Sequence, residues 1–349
     1  IPPMLMSPLT WTAMLLMLLT STTLVMSSHH WMLVWLGLEL NTMSIIPIII
    51  KTHHPRATEA TTKYFIIQAA AAALILLAGV LNTWQTGQWS ILYPTSTTTL
   101  ILMLALSLKL GLAPVHLWYP EVLQGSTLLT ALIISTWQKI APLSLLYLIS
   151  KTPSMIMLML GLTSALVGGW MGLNQTQARK LMAFSSIAHM GWLVTALTMN
   201  PSLATVTFII YTMMTASVFL TLAPTTTKTL PDLGTIHSCY PTLTTMLMIS
   251  TLSLSGLPPL SGFMPKWLIL NELVSKNLML LATLLALATL PSLYFYTRMC
   301  YVMTLTTPPN NPVTKHKWRT KLNLPPNLMT LASLTMLLLP MTPTLAYTM

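Results

Sequence analysis

Four ionisable side chains stand inside apolar sequence: Glu39 in Trp35-Leu36-Gly37-Leu38-Glu39-Leu40-Asn41, Lys109 in Leu106-Ser107-Leu108-Lys109-Leu110, Lys139 in Thr136-Trp137-Gln138-Lys139-Ile140, and Lys266 after Phe263-Met264-Pro265. A charge at the centre of a membrane helix costs on the order of 3 kcal/mol on insertion scales, so four cost roughly 12 kcal/mol, which packing alone gives no reason to carry. Pairing reduces that cost, and Glu39 with Lys109 is the natural pair because Glu121 and Glu272 fall near the ends of their apolar runs. Lys139 and Lys266 are left without an evident carboxylate. An amine held away from water and counter-ions gives up its proton more readily than in solution, so the chemistry these residues suit is proton exchange. Glu39 would then tune Lys109, which hands a proton to the next site. The alternative is structural: lysines that snorkel to an interface or bond backbone carbonyls.

Two histidines extend the pattern. His189, in Ser185-Ser186-Ile187-Ala188-His189-Met190-Gly191-Trp192, has two serines one helical turn back on its face, a polar track suited to passing a proton. His116 lies in a Gly- and Pro-containing interruption of an apolar run. For both, a hydrogen-bonded packing role is the competing reading. The pairs His29/His30 and His53/His54 read as interfacial, and His53 with His54 lacks the further ligands of a metal site.

The elements that position these groups must be membrane helices. The 349 residues are 54% hydrophobic and 6% charged, with mean hydropathy +0.72, against about 25% charge in soluble domains. A net charge of +11 points first to nucleic acid, but the basic residues are scattered between apolar runs and form no patch. Two cysteines, Cys239 and Cys300, exclude a disulfide framework, a four-thiolate cluster and a structural zinc site. Neither Gly-x-Gly-x-x-Gly nor a P-loop occurs, so no cofactor is expected on this chain. The N-terminus enters an apolar run without an Arg-rich presequence, which favours direct insertion over import. Ile1 and 27 methionines fit an AT-rich organelle genome with a relaxed start codon.

Spans of roughly 20 residues cross the hydrocarbon, and eleven are expected: about 8–26, 31–50, 63–81, 96–117, 126–149, 153–171, 179–199, 202–223, 242–270, 278–298 and 327–346. Their Ser and Thr hydroxyls are expected to bond the carbonyl four residues back. On this division Lys51, Arg56, Lys63, Arg179, Lys180, Lys228, Arg298, Lys315, Lys317, Arg319 and Lys321 lie on the N-terminal side, and Lys151 and Lys276 on the other. Eleven against two places the N-terminus in the matrix or cytoplasm and the C-terminus on the opposite side. The three remaining basic residues are Lys109, Lys139 and Lys266.

Two interruptions match. Gly111-Leu112-Ala113-Pro114-Val115-His116-Leu117-Trp118-Tyr119-Pro120-Glu121 aligns without gaps on Gly256-Leu257-Pro258-Pro259-Leu260-Ser261-Gly262-Phe263-Met264-Pro265-Lys266. Proline removes a donor and displaces a carbonyl, and hydrocarbon satisfies neither, so Gly111, Pro114, Gly256, Pro258, Pro259 and Gly262 mark helix breaks that line protein or water. They fall in spans four and nine. An odd offset reverses orientation, which predicts two inverted five-helix repeats, about 8–149 and 153–298, then a basic loop at 299–326 and a last span at 327–346. The fold class is thus all-α and polytopic, and broken helices at matching positions point to a midplane ion path.

These segments, with Pro-Glu121-Val-Leu-Gln-Gly, Gly172-Leu-Asn-Gln-Thr-Gln-Ala-Arg-Lys180 and Leu-Pro-Pro-Leu-Ser-Gly-Phe-Met-Pro-Lys266-Trp, resemble the mitochondrially encoded, antiporter-like core membrane subunits of respiratory complex I, NADH-ubiquinone oxidoreductase. The resemblance runs in order from about 27 to 298. It implies a proton-translocating subunit of the inner mitochondrial membrane, its N-terminus in the matrix and C-terminus in the intermembrane space. Glu39 and Lys109 would be its coupling pair, Lys139 its central relay and Lys266 its terminal site. NADH, FMN, iron–sulfur clusters and ubiquinone are then expected in other subunits. The implied partners are the other membrane subunits, neighbouring antiporter-like chains among them, and membrane lipids such as cardiolipin, with no nucleic acid. A free-standing cation/proton antiporter and a structural spacer are the competing functions.

Overall fold

A computed structural model describes residues 8–51, 53–149, 155–225, 227–305 and the single positions 330, 332, 333, 335 and 340, with the backbone alone at 236–239. The described chain is helical, its β-pairing limited to the isolated bridges His30 with Ser90 and Gln177 with Thr229. It divides into two compact units, Ile1–Met157 and Leu158–Met349.

The first unit contains α1 (Pro8–Ser27), α2 (Trp31–Ile50), α3 (Pro55–Thr86), α4 (Ser96–Leu110), α5 (Trp118–Gly125), α6 (Leu128–Ser135), a 3-10 turn at Trp137–Lys139 and α7 (Ile140–Ile149). Two of its helices start on histidine caps. His30 Nδ1 accepts the Met32 N–H at 3.2 Å and His54 Nδ1 accepts that of Arg56 at 3.2 Å, with Pro55 following where its missing donor costs nothing. Both histidines are exposed, and the His30 ring stacks on Trp89 with centroids 5.6 Å apart. The paired histidines at 29/30 and 53/54 thus each supply a helix cap.

The second unit contains the rest of α8 (Met155–Gly172), whose first turn precedes the division, then α9 (Ala178–Met199), α10 (Pro201–Leu222), α11 (Leu230–Cys239), α12 (Pro241–Ser255), α13 (Phe263–Ser275) and α14 (Met279–Leu305). The core helix is α9, with 94% of its most apolar stretch buried, against 22% for α1. Small residues let α8 approach it closely: a Cβ on Gly191 would stand 2.5 Å from the Gly161 carbonyl oxygen and 2.7 Å from the Ala165 nitrogen. At the start of α11 the Asp232 carboxylate accepts the Thr229 N–H at 2.9 Å and that of Lys228 at 3.4 Å. The backbone donor of Thr229 is the main cause that holds this carboxyl below the usual aspartate range.

Eight described helices are long and apolar enough to span a membrane: α1, α2, α3, the segment Leu128–Ile149, α8, α9, α10 and α14. The expected spans four and nine are the two broken ones, α4 with α5 and α12 with α13, and the span expected at 327–346 lies almost wholly outside the described residues. So do Lys151, Lys315, Lys317, Arg319 and Lys321. Three expectations are corrected. The third helix is 32 residues long, beginning at Pro55 and not at Lys63, because the His54 cap and Pro55 start it before the charged first turns. The fifth span is not continuous: α6 gives way to the 3-10 turn that carries Lys139. Pro142 explains this, since its ring displaces the carbonyl of Gln138 four residues back and it donates no bond to it. Most helical hydroxyls bond the carbonyl three residues back, not four, as in Ser44 to Asn41 and Ser107 to Leu104.

Candidate functional site

In the first unit Lys109 and Lys139 line one cavity of about 20 Å³, enough for a single water. Both side chains are buried, at 7% and 3% exposure. Lys109 is in the last turn of α4, where an ammonium faces the negative end of the helix dipole, and its Nζ has no hydrogen-bond partner among the described residues. Three rings, Tyr64 from α3 with Trp118 and Tyr119 from α5, form one wall, and Tyr64 and Trp118 meet edge to face at 5.8 Å. Polar groups form another: Gln138 Nε2 donates to Asn41 Oδ1 at 3.1 Å and the Tyr64 hydroxyl donates to Gln138 Oε1 at 3.5 Å. The amide beside Lys139 therefore ties the 3-10 turn to α2 and α3.

Glu39 is not in contact with Lys109. Among the described residues the ion pairs join Lys63 to Glu59 and to Glu121, each at 2.6 Å. The Glu39 carboxylate instead accepts the Thr42 hydroxyl at 3.3 Å on its own helix and acts on Lys109 through space. Thr42, which bonds this carboxylate, also lines the cavity that holds the two lysines.

The two interruptions share a left-handed cap and several backbone hydrogen bonds. Gly111 ends α4 at φ 69° and Gly256 ends α12 at φ 84°, both left-handed, where a side chain would be strained. Gly111 N–H reaches the Leu108 carbonyl at 3.3 Å and Gly256 N–H that of Ser253 at 3.0 Å. Val115 bonds Leu112 at 2.9 Å, as Leu260 bonds Leu257 at 3.0 Å, and Tyr119 bonds His116 at 3.0 Å, as Met264 bonds Ser261 at 3.2 Å. The chain re-enters helix at aligned positions, Trp118 and Phe263. Pro114 follows a cis peptide bond, whereas Pro258 and Pro259 have trans ones, and Gly262 stands where the first break has Leu117. His116 is buried within the first break.

In the second unit His189 and Lys266 line a cavity of about 10 Å³, with Ser185, Trp192, Ser292 and Tyr296. The polar track read from the sequence is real in position, but its hydroxyls are turned to their own helix: Ser185 bonds the Met182 carbonyl at 2.7 Å and Ser186 that of Ala183 at 2.8 Å. The His189 ring lies 5.6 Å from that of Tyr211. Lys266 folds back over Gly256 and donates to the Ser255 carbonyl at 2.7 Å, so its ammonium sits on the C-terminal end of α12. Two more basic side chains of this unit do the same. Lys276 bonds the Met199 carbonyl at the end of α9, and Arg298 bonds the carbonyls of Leu173 at 2.7 Å and Gln175 at 2.5 Å after the end of α8.

The structure therefore brings Lys109 together with Lys139, and His189 with Lys266. Sequence reasoning missed Asn41, Tyr64, Tyr119 and Gln138 as cavity walls; only Pro142, one turn after Lys139, signalled that its helix was interrupted.

Residues 28–291 match the family described as NADH:quinone oxidoreductase/Mrp antiporter, TM, and residues 293–346 match NADH dehydrogenase subunit 2 C-terminus. NADH-ubiquinone oxidoreductase chain 2 of Salmo salar is 52% identical over 345 residues, covering 97% of this chain and 98% of its own length. Its counterpart from Tetraodon nigroviridis is 51% identical over 343 residues with the same coverage. A chain of respiratory complex I from Thermus thermophilus with bound aureothin superposes with a TM-score of 0.81 at 27% identity, over 95% of this chain and 79% of that one. A chain of the Mrp complex from Dietzia sp. DQ12-45-1b shares the fold, with a TM-score of 0.75 at 14% identity over 82% and 59% of the two chains. With matched broken helices and a buried lysine pair in this frame, the chain belongs to the NADH:quinone oxidoreductase/Mrp antiporter family, in its NADH-ubiquinone oxidoreductase chain 2 branch.

Proposed function

We propose that the chain translocates protons across the inner mitochondrial membrane as an antiporter-like subunit of complex I, coupled to electron transfer from NADH to ubiquinone in other subunits. The observation that carries this is the cavity shared by Lys109 and Lys139. Two amines at one small polar cavity exchange a proton at little cost when one is charged and the other neutral, because their mutual repulsion disfavours charging both. Glu39 biases which amine holds the proton, through space and through the Thr42 side of the cavity. Lys266 and His189 extend the path in the second unit, and His116 lies within the break that shapes its start.

The matched breaks support two inverted five-helix repeats, and the excess of basic residues on one side supports an N-terminus in the matrix with the C-terminus in the intermembrane space. FMN, the iron–sulfur clusters and the quinone belong in this reading to partner subunits, which include other antiporter-like chains; anionic lipid such as cardiolipin fits the basic side. Lys139→Met, which keeps length and removes the exchangeable proton, should leave an assembled complex whose proton-to-electron ratio falls. An unchanged ratio in proteoliposomes would refute the relay.

A further inference from the structure

No acidic residue lines the cavity that holds Lys109 and Lys139, yet both are buried. One lining group does present a negative electrostatic face: the Lys139 Nζ stands 5.1 Å from the centre of the Tyr119 ring. The face of an aromatic ring attracts a cation, most strongly where water is excluded, and Tyr119 is only 2% exposed. Its place is fixed from three directions. It is the second residue of α5, its N–H bonds the His116 carbonyl, and Trp118 packs against it edge to face at 5.5 Å. A Cβ on Gly111 would stand only 3.3 Å from the Tyr119 Cβ, so the ring is seated against the left-handed cap that ends the Lys109 helix. The aligned residue of the second break is Met264, and there the lysine takes a backbone carbonyl as its partner.

We infer that Tyr119 is a positioning residue for the relay: its ring face, held over the Gly111 break, receives the charged form of Lys139 and fixes it toward the cavity shared with Lys109. This rests on the relay function proposed above and adds to it a specific partner for Lys139. The hydroxyl is not what the contact uses, so Tyr119→Phe and ring-free variants separate the face of the ring from its edge.

Complexes carrying Tyr119→Phe, Tyr119→Met and Lys139→Met are reconstituted in liposomes, and the rates of proton pumping and of NADH oxidation are read beside the amount of intact complex. Methionine is chosen because the chain itself uses it at the aligned position. Tyr119→Phe should pump at close to the parent rate, and Tyr119→Met about tenfold more slowly, the size of one desolvated cation–ring contact. Equal pumping by the two variants overturns the inference, as does a loss in Tyr119→Phe as deep as in Tyr119→Met. If Tyr119→Met does not assemble, Tyr119→Leu, equally ring-free, decides by the same comparison. Normal pumping by Lys139→Met would instead overturn the relay itself, whatever the Tyr119 variants do.

Discussion

Gly87 and Gly256 both have left-handed backbone, at φ 72° and 84°, but only one has a neighbour where a side chain would go. Around Gly87 nothing lies within 4 Å, whereas a Cβ on Gly256 would stand 2.8 Å from the Lys266 ammonium. Gly87→Ala should therefore cost only the left-handed penalty, about 1–2 kcal/mol, with pumping unchanged. Gly256→Ala should cost that and also push Lys266 off the Ser255 carbonyl, lowering the pumping ratio. Thermal inactivation and pumping of the two variants measure the difference; equal effects would show that the Lys266 contact carries nothing. At this scale the sequence was legible where structure is local: Gly and Pro in an apolar run marked the breaks that Gly111 and Gly256 open. It was silent about Lys266 and Ser255, because a lysine bonding a carbonyl eleven residues back depends on how the chain turns at Pro258 and Pro259, and not on any residue type at position 255.

Two of the contacts between α5 and α3 differ in kind and in size. Lys63 bridges Glu59 and Glu121, but these side chains are 39%, 62% and 52% exposed, and an exposed pair is worth about 1 kcal/mol at most. Gly125 at the other end of α5 lies so close to α3 that a Cβ would stand 2.6 Å from both Ala60 Cβ and the Arg56 oxygen. Packing should dominate. Glu121→Gln is expected to leave the assembled complex and its pumping nearly intact, while Gly125→Val should force the helices apart and reduce assembly severalfold on a native gel. The opposite ranking would make the ion pair the fastener. Most described spans were readable from apolar length and the paired breaks from their shared Gly-Leu-x-Pro text, but α11 falls where a loop was expected. The 3-10 turn at Lys139 was not anticipated, because a proline acts one turn upstream of itself and Pro142 sits well inside an apolar run.

Across the whole chain, the proposed orientation rests on the distribution of charge. Among described loops, Lys228 stands between α10 and α11 and Lys276 follows α13, on opposite sides in the eleven-span reading. Lys228→Cys should react with an impermeant maleimide from the matrix face only, and Ser275→Cys from the intermembrane-space face only, against a parent control for the native thiols. Reversed labelling would overturn the proposed orientation. Composition read this level well, since 6% charge leaves little besides lipid as a solvent for most of the chain. What it could not tell was where the charge goes in a molecule with five acidic residues.

In the second unit Lys266, Lys276 and Arg298 answer that by bonding helix carboxyl ends. Such counter-ions are not encoded by any one codon. A search for co-varying residue pairs across relatives will find no partner for these three positions, and no charge-swap double mutant can rescue them, because the peptide carbonyl on the other side of the bond does not mutate.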